Sequence, residues 1–190
     1  MFDALKQINW LDIFSLIIFV RVLYVAAETG VINELFKLLG TITAICLALH
    51  YYSRFAGATL AFLGNKLLGM ELFNLPFFIA LALLGYWVLV VFRKLFTRLI
   101  TMEAAPDFNK YGGVFLGILR GILLTSLISC ALVGSNIGYL KKSVTGSASA
   151  KYIFKVAPAT YAFVYNGIIS KFVSSPKLNN AILDSEGDIN

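Results

Sequence analysis

Few residues in this chain have side chains that do acid–base, nucleophilic or metal chemistry, and several of them lie in apolar surroundings. Asp12 and Arg21 fall inside one hydrophobic run, Glu34 stands at the threshold of a second, and Arg120 lies deep in a fourth. An ionised group in such a setting is costly unless it pairs, snorkels to the surface or lines water. Arg120 lies about 13 Å along a helix from Tyr111. Its expected partner is Glu34, with Glu28 next, because the first two runs meet on the side of the membrane where the fourth begins. Asp12 suits a helix start, where a negative charge complements the dipole. Arg21 and Glu28 are seven residues apart on one helical face, so pairing is again expected.

Catalytic constellations are hard to assemble from the rest. The one histidine, His50, is four residues from Cys46 on a common face, and Cys130 stands at similar depth in the fourth run. Two ligands and an inferred third fall short of a metal site, and His50 beside Tyr51 and Tyr52 fits an interfacial aromatic belt. No HExxH, Walker A loop, dinucleotide turn or nucleophile elbow is present. The expectation is therefore a protein without catalytic residues, metal or cofactor.

Gly113, Gly117 and Gly121 form a G-x-x-x-G-x-x-x-G series. Spacing of four puts them on one helical face, where missing side chains let a second helix approach closely. They are read as helix-packing residues.

The elements that carry these residues follow from composition. Of 190 residues, 59% are hydrophobic and 14% charged, far from the balance of a soluble domain; the mean hydropathy of +0.82 agrees. Four continuous apolar runs cover about residues 11–27, 35–52, 75–92 and 111–133. Each is about long enough to cross the hydrocarbon core. Continuous rather than alternating hydrophobicity, and the need of a backbone in lipid to satisfy itself, favour helices over strands. The expected fold is an all-α integral membrane bundle of four transmembrane helices.

Two short amphipathic interfacial helices are expected beside it. Leu60, Leu63, Leu67 and Leu68 share a face within residues 55–72, and Tyr161, Tyr165, Ile168 and Phe172 do so within about 158–173. Lys141 to Ser147 reads as a polar, turn-rich break. It separates a membrane domain, residues 1–140, from a C-terminal tail, residues 141–190.

Residues 1–92 hold five basic and five acidic side chains, whereas residues 93–190 hold eleven and five. A basic flank beside apolar spans fits anionic lipid headgroups. Nucleic acid would call for a basic, aromatic-rich soluble face, which the sequence lacks. Val25-Ala26-Ala27 could mimic a signal cleavage site, but Arg21 interrupts the run before it, so the first span is expected to be retained. Six lysines and arginines on one side of the spans against five on the other place both termini in the cytoplasm.

Trp10-Leu11-Asp12, the stretch Gly30-Val31-Ile32-Asn33-Glu34-Leu35 followed by Gly40, and the block from Asn109 to Gly121 with its G-x-x-x-G-x-x-R-G pattern resemble the colicin V production protein (CvpA) family of small bacterial inner-membrane proteins. The resemblance covers about residues 9–135. It departs at Glu28 and Thr29, where the family usually has basic residues before the glycine matching Gly30, and at Arg21 within the first span. It implies a multipass inner-membrane protein associated with colicin V production, toxin biosynthesis or export, or envelope function, and supplies no reaction. The expected mode of action is non-enzymatic, through helix contacts with itself or another membrane protein in the lipid bilayer. The rival is a small oligomeric channel or transporter subunit with Arg120, Glu34 and Arg21 on a polar pathway. Asp12, Arg21, Glu34 and Arg120 are the candidate intramembrane polar network, and Gly30 the candidate loop glycine.

Overall fold

The computed structural model describes residues 9–63, 70–99, 106–135, 137–147 and 152–172. Four long helices dominate: α1 (Trp10–Thr29), α2 (Val31–Leu63), α3 (Met70–Leu99) and α4 (Pro106–Gly134). All four are long and apolar enough to cross a membrane. Two short helices follow, α5 (Gly138–Thr145) and α6 (Val156–Val164), the latter running into a π-helical turn at Tyr165–Ile169. Among the described residues there is no strand.

The order across the bundle is α1, α4, α2, α3. The last long helix wedges between the first two, which touch each other little beyond their shared corner. Burial follows from this order. More than half of the membrane window of α4 is buried (56%), against 17% for α1 and 11% for α3, so α4 is the axis and α1 and α3 are outer staves. Exposed Leu16, Ile17 and Val20 on α1, and Leu83, Leu84 and Trp87 on α3, form faces suited to hydrocarbon.

The α2–α3 pair closes on small residues. A side chain at Gly85 would meet the Ala44 backbone at 2.9 Å, and one at Gly40 the Tyr86 ring at 3.1 Å. Tyr52 and Phe78 then meet edge to face, with ring centroids 5.6 Å apart.

Three expected boundaries change. The helix of the second span does not stop near residue 52: α2 is continuous to Leu63, so residues 55–63 of the expected interfacial helix belong to it. Residues 64–69 lie outside the described part, and residues 70–72 open α3. Thirty-three residues make a helix about 50 Å long, longer than the hydrocarbon core, so α2 projects beyond it.

Secondly, α3 begins at Met70, ahead of the expected start at residue 75, and Pro76 lies inside it. Thirdly, the break expected at Lys141–Ser147 is largely helix α5, which straddles the boundary placed at residue 140. The turn comes at its end, where the Gly146 N–H closes the helix on the Lys142 carbonyl.

The C-terminal segment also packs more deeply than an interfacial helix would. Phe154, Ala157, Tyr161 and Tyr165 are buried and join the same core cluster as Ile45, Leu49 and Cys130. Pro158 sits in the first turn of α6, where its missing N–H costs little. Ile168 is exposed; the side chain of Phe172 lies outside the described set.

Candidate functional site

The site begins at a one-residue corner. Gly30 separates α1 from α2 with φ 79° and ψ 169°, a conformation open essentially only to glycine. Asn109, at the start of α4, completes it: its Oδ1 accepts from the Val31 N–H at 2.9 Å, capping one free donor of α2. A Cβ on Gly30 would collide with that same side-chain amide. One residue therefore sets the chain reversal and seats α4 against it.

Glu34 follows one turn into α2 and is fully buried. Its Oε1 accepts from Lys37 Nζ at 2.6 Å and from the Thr29 hydroxyl at 2.8 Å. Its Oε2 lies 3.2 Å from Arg120 Nε. That contact is an ion pair whose alignment falls short of a hydrogen bond, and among the described residues neither atom makes one. Lys37 also donates to Thr29 Oγ1 at 3.0 Å. Its ammonium thus reaches back to the end of α1, as expected of a lysine near a membrane surface. Arg120, 5% exposed, crosses from α4 to the same carboxylate. The cluster sets one carboxylate against two basic side chains.

The glycine series lines the seam between α4 and α1. Gly113 faces the Ala26 carbonyl, which an added Cβ would meet at 2.8 Å; Gly117 faces the Ala26 side chain; Gly121 faces the Phe19 ring, which an added Cβ would meet at 2.7 Å. A Cβ on Gly112, off this register, would meet Val31 of α2 at 3.0 Å. These approaches bring Arg120 level with the Glu34 carboxylate.

The four-residue polar network does not form as a unit. Asp12 belongs to a separate cluster at the opposite end of α1. Its Oδ2 accepts from the Asn9 N–H at 3.2 Å, and its Oδ1 from the Ser147 hydroxyl at 2.6 Å. Asn9 and Trp10 bond in turn to Ser143. Asp12 therefore caps a helix and ties α5 to α1. Arg21 is exposed, and among the described residues it makes no ion pair with Glu28. Two turns separate them by about 10 Å along the axis.

His50 is not in an exposed belt. It is buried, shares a 2.7 Å hydrogen bond through Nδ1 with the Tyr161 hydroxyl, and stacks on Tyr165. Ser126 fixes the same segment to α4: its hydroxyl donates to the Phe154 carbonyl at 2.9 Å and accepts from the Ala157 N–H at 2.8 Å. Among the described residues no three His, Cys, Asp or Glu side chains group as metal ligands.

Sequence reasoning passed over Lys37, Thr29 and Asn109. The spacing of Glu34 and Lys37, three apart, is the standard signal of a helical ion pair. Thr29 and Asn109 carry no comparable local mark, because their partners come from a corner and a distant helix.

The family model described as colicin V production protein matches residues 11–158. The match extends past the fourth span through α5 into the first turn of α6. No curated protein and no solved structure matches the chain.

Proposed function

The chain belongs to the colicin V production protein family, and from that premise we propose that it is a non-enzymatic factor of the bacterial inner membrane. It serves colicin V production, toxin export or a related envelope process, with both termini cytoplasmic. It acts through helix contacts with a second copy or another membrane protein. The observation that carries this reading is the burial of Glu34 and Arg120 against each other within one chain. A polar pathway needs such groups facing a shared aqueous space; here they face one another, and the exposed residues in mid-span on α1 and α3 are mostly apolar, Arg21 excepted.

One residue favours the channel reading. Arg21 is exposed on the outer face of α1 and would face a common centre if several copies assembled through that helix. The two readings part in a flux measurement on liposomes holding the inserted protein, with Arg120→Gln alongside. A contact factor gives no ion or solute flux in either form, and photo-reactive residues at Leu83 or Trp87 give a discrete membrane-protein adduct. Flux in the wild type that Arg120→Gln alters, with folding intact, overturns it.

A further inference from the structure

Arg21 stands in the middle of α1, about 16 Å from the Trp10 end and about 12 Å from the Thr29 end. It is the only charged residue between Ile13 and Ala27. It is exposed, and among the described residues it makes no ion pair. Glu28, the nearest carboxylate along the same helix, is about 10 Å further on. A guanidinium in hydrocarbon is costly unless it meets an opposite charge, water or the membrane surface. The surface is hard to reach in either direction. The nearer one lies toward the C-terminal end of α1, whereas a long helical side chain leans toward the N-terminus, and so toward the more distant surface.

The residues around it have the pattern of a helix seam. Ile13, Ile17, Val20 and Tyr24 are exposed and recur at alternating spacings of four and three, which puts them in one stripe with Arg21 at its edge. Such a stripe receives a second helix, in the geometry that membrane bundles share with coiled coils. A second copy of this chain does not supply the missing anion. Two α1 helices inserted the same way would set Arg21 against Arg21. The face of α3 has no charged residue from Leu75 to Phe92, and Glu34 of α2 is buried and engaged by Lys37.

We propose that the exposed face of α1 docks a transmembrane helix of a different membrane protein, one that carries an aspartate or glutamate in mid-span opposite Arg21. The guanidinium presents a planar fork that a carboxylate fills with two parallel hydrogen bonds. The apolar stripe seats the partner helix, and the ion pair selects it, because a helix with leucine at that depth leaves the guanidinium unpaired. The inference rests on the helix-contact reading and adds to it a face and a chemistry for the partner.

The test is energy transfer, in phosphatidylcholine vesicles, between the labelled full-length protein and labelled synthetic leucine–alanine transmembrane peptides. One peptide carries an aspartate at its centre and the other a leucine. The aspartate peptide is expected to associate at least tenfold more tightly. Arg21→Leu, which removes no ion pair within the bundle, should abolish the preference, and Arg21→Asp should transfer it to a peptide with a central lysine. Where the acidic variant fails to insert, Arg21→Leu decides alone. Equal association of the wild type with the aspartate and leucine peptides, the result if lipid phosphate already satisfies Arg21, overturns the proposal. So does a preference for aspartate that survives Arg21→Leu. An adduct at Leu83 or Trp87 without any preference for aspartate would sink this proposal and leave a contact factor that docks through α3. Flux altered by Arg120→Gln would instead overturn the contact reading itself.

Discussion

Two cations share one carboxylate at the corner of the bundle, and this makes the cost of removing each charge unequal. Glu34→Gln leaves Lys37 and Arg120 facing each other without their common anion. Arg120→Gln leaves the Glu34–Lys37 pair intact, with its 2.6 Å contact. Breaking a buried pair by deleting one partner costs about 3–5 kcal/mol when the other charge is stranded. Glu34→Gln should therefore lie at or above that range, and Arg120→Gln clearly below it. Thermal unfolding in one detergent ranks them, and the reverse order would show that Lys37 is not the compensating partner. Much of this cluster was legible, because an arginine in an apolar run demands an anion and few anions are near. The sharing was less so: Lys37 reads as an ordinary charged flank of the second span until the fold brings its ammonium back to Thr29.

At the scale of elements, the glycines of α4 differ in what stands opposite them, so alanine substitutions should form a graded series. At Gly113 an added methyl group meets the backbone carbonyl of Ala26, which cannot yield without moving α1. At Gly117 it meets the Cβ of Ala26, which is fixed to the backbone and has no rotamer to turn, and at Gly121 the edge of a phenylalanine ring that can turn. The expected loss of stability is therefore larger at Gly113 and Gly117 than at Gly121, with overpacking costs of about 1–3 kcal/mol. Gly57, in the part of α2 where nothing lies within 4 Å, provides the contrast: Gly57→Ala should be neutral or stabilising by up to about 1 kcal/mol. Gly30→Ala should exceed all of them, because it adds a strained backbone to the collision with Asn109. Unfolding midpoints of the five variants check the ranking. Spacing of four in the sequence reveals a shared face, but not which atoms that face meets; only the seam against α1 sets the order. The same limit explains the misplaced end of α2. Residues past 52 are polar enough to read as a separate surface helix, yet nothing between Tyr52 and Leu63 breaks the backbone, so the helix continues out of the membrane.

At the scale of the whole molecule, α4 is the axis, and the C-terminal segment clasps it at the end where α2 projects from the membrane. His50 is nineteen residues beyond Val31, about 29 Å along the helix, near the far edge of the hydrocarbon core. There the hydrophobic effect still acts, and burial of Phe154, Tyr161 and Tyr165 is worth about 1.5–3 kcal/mol for each large side chain. The Ser126 bridge and the His50–Tyr161 bond satisfy polar groups that would otherwise be stranded, so the segment is part of the fold rather than an appendage to it. A chain ending after Ser147 should lose several kcal/mol, unfold at a markedly lower temperature in detergent and expose Cys130, fully buried in the intact protein, to thiol reagents. Tyr161→Phe in the full chain should cost about 1–3 kcal/mol, because it removes one partner of a buried hydrogen bond, and leave Cys130 protected. If the shortened chain kept the parent's unfolding midpoint and a protected Cys130, the four long helices would be self-sufficient and the segment merely laid on them. The buried ring of Tyr161, seated between α2 and α4, argues for the opposite result.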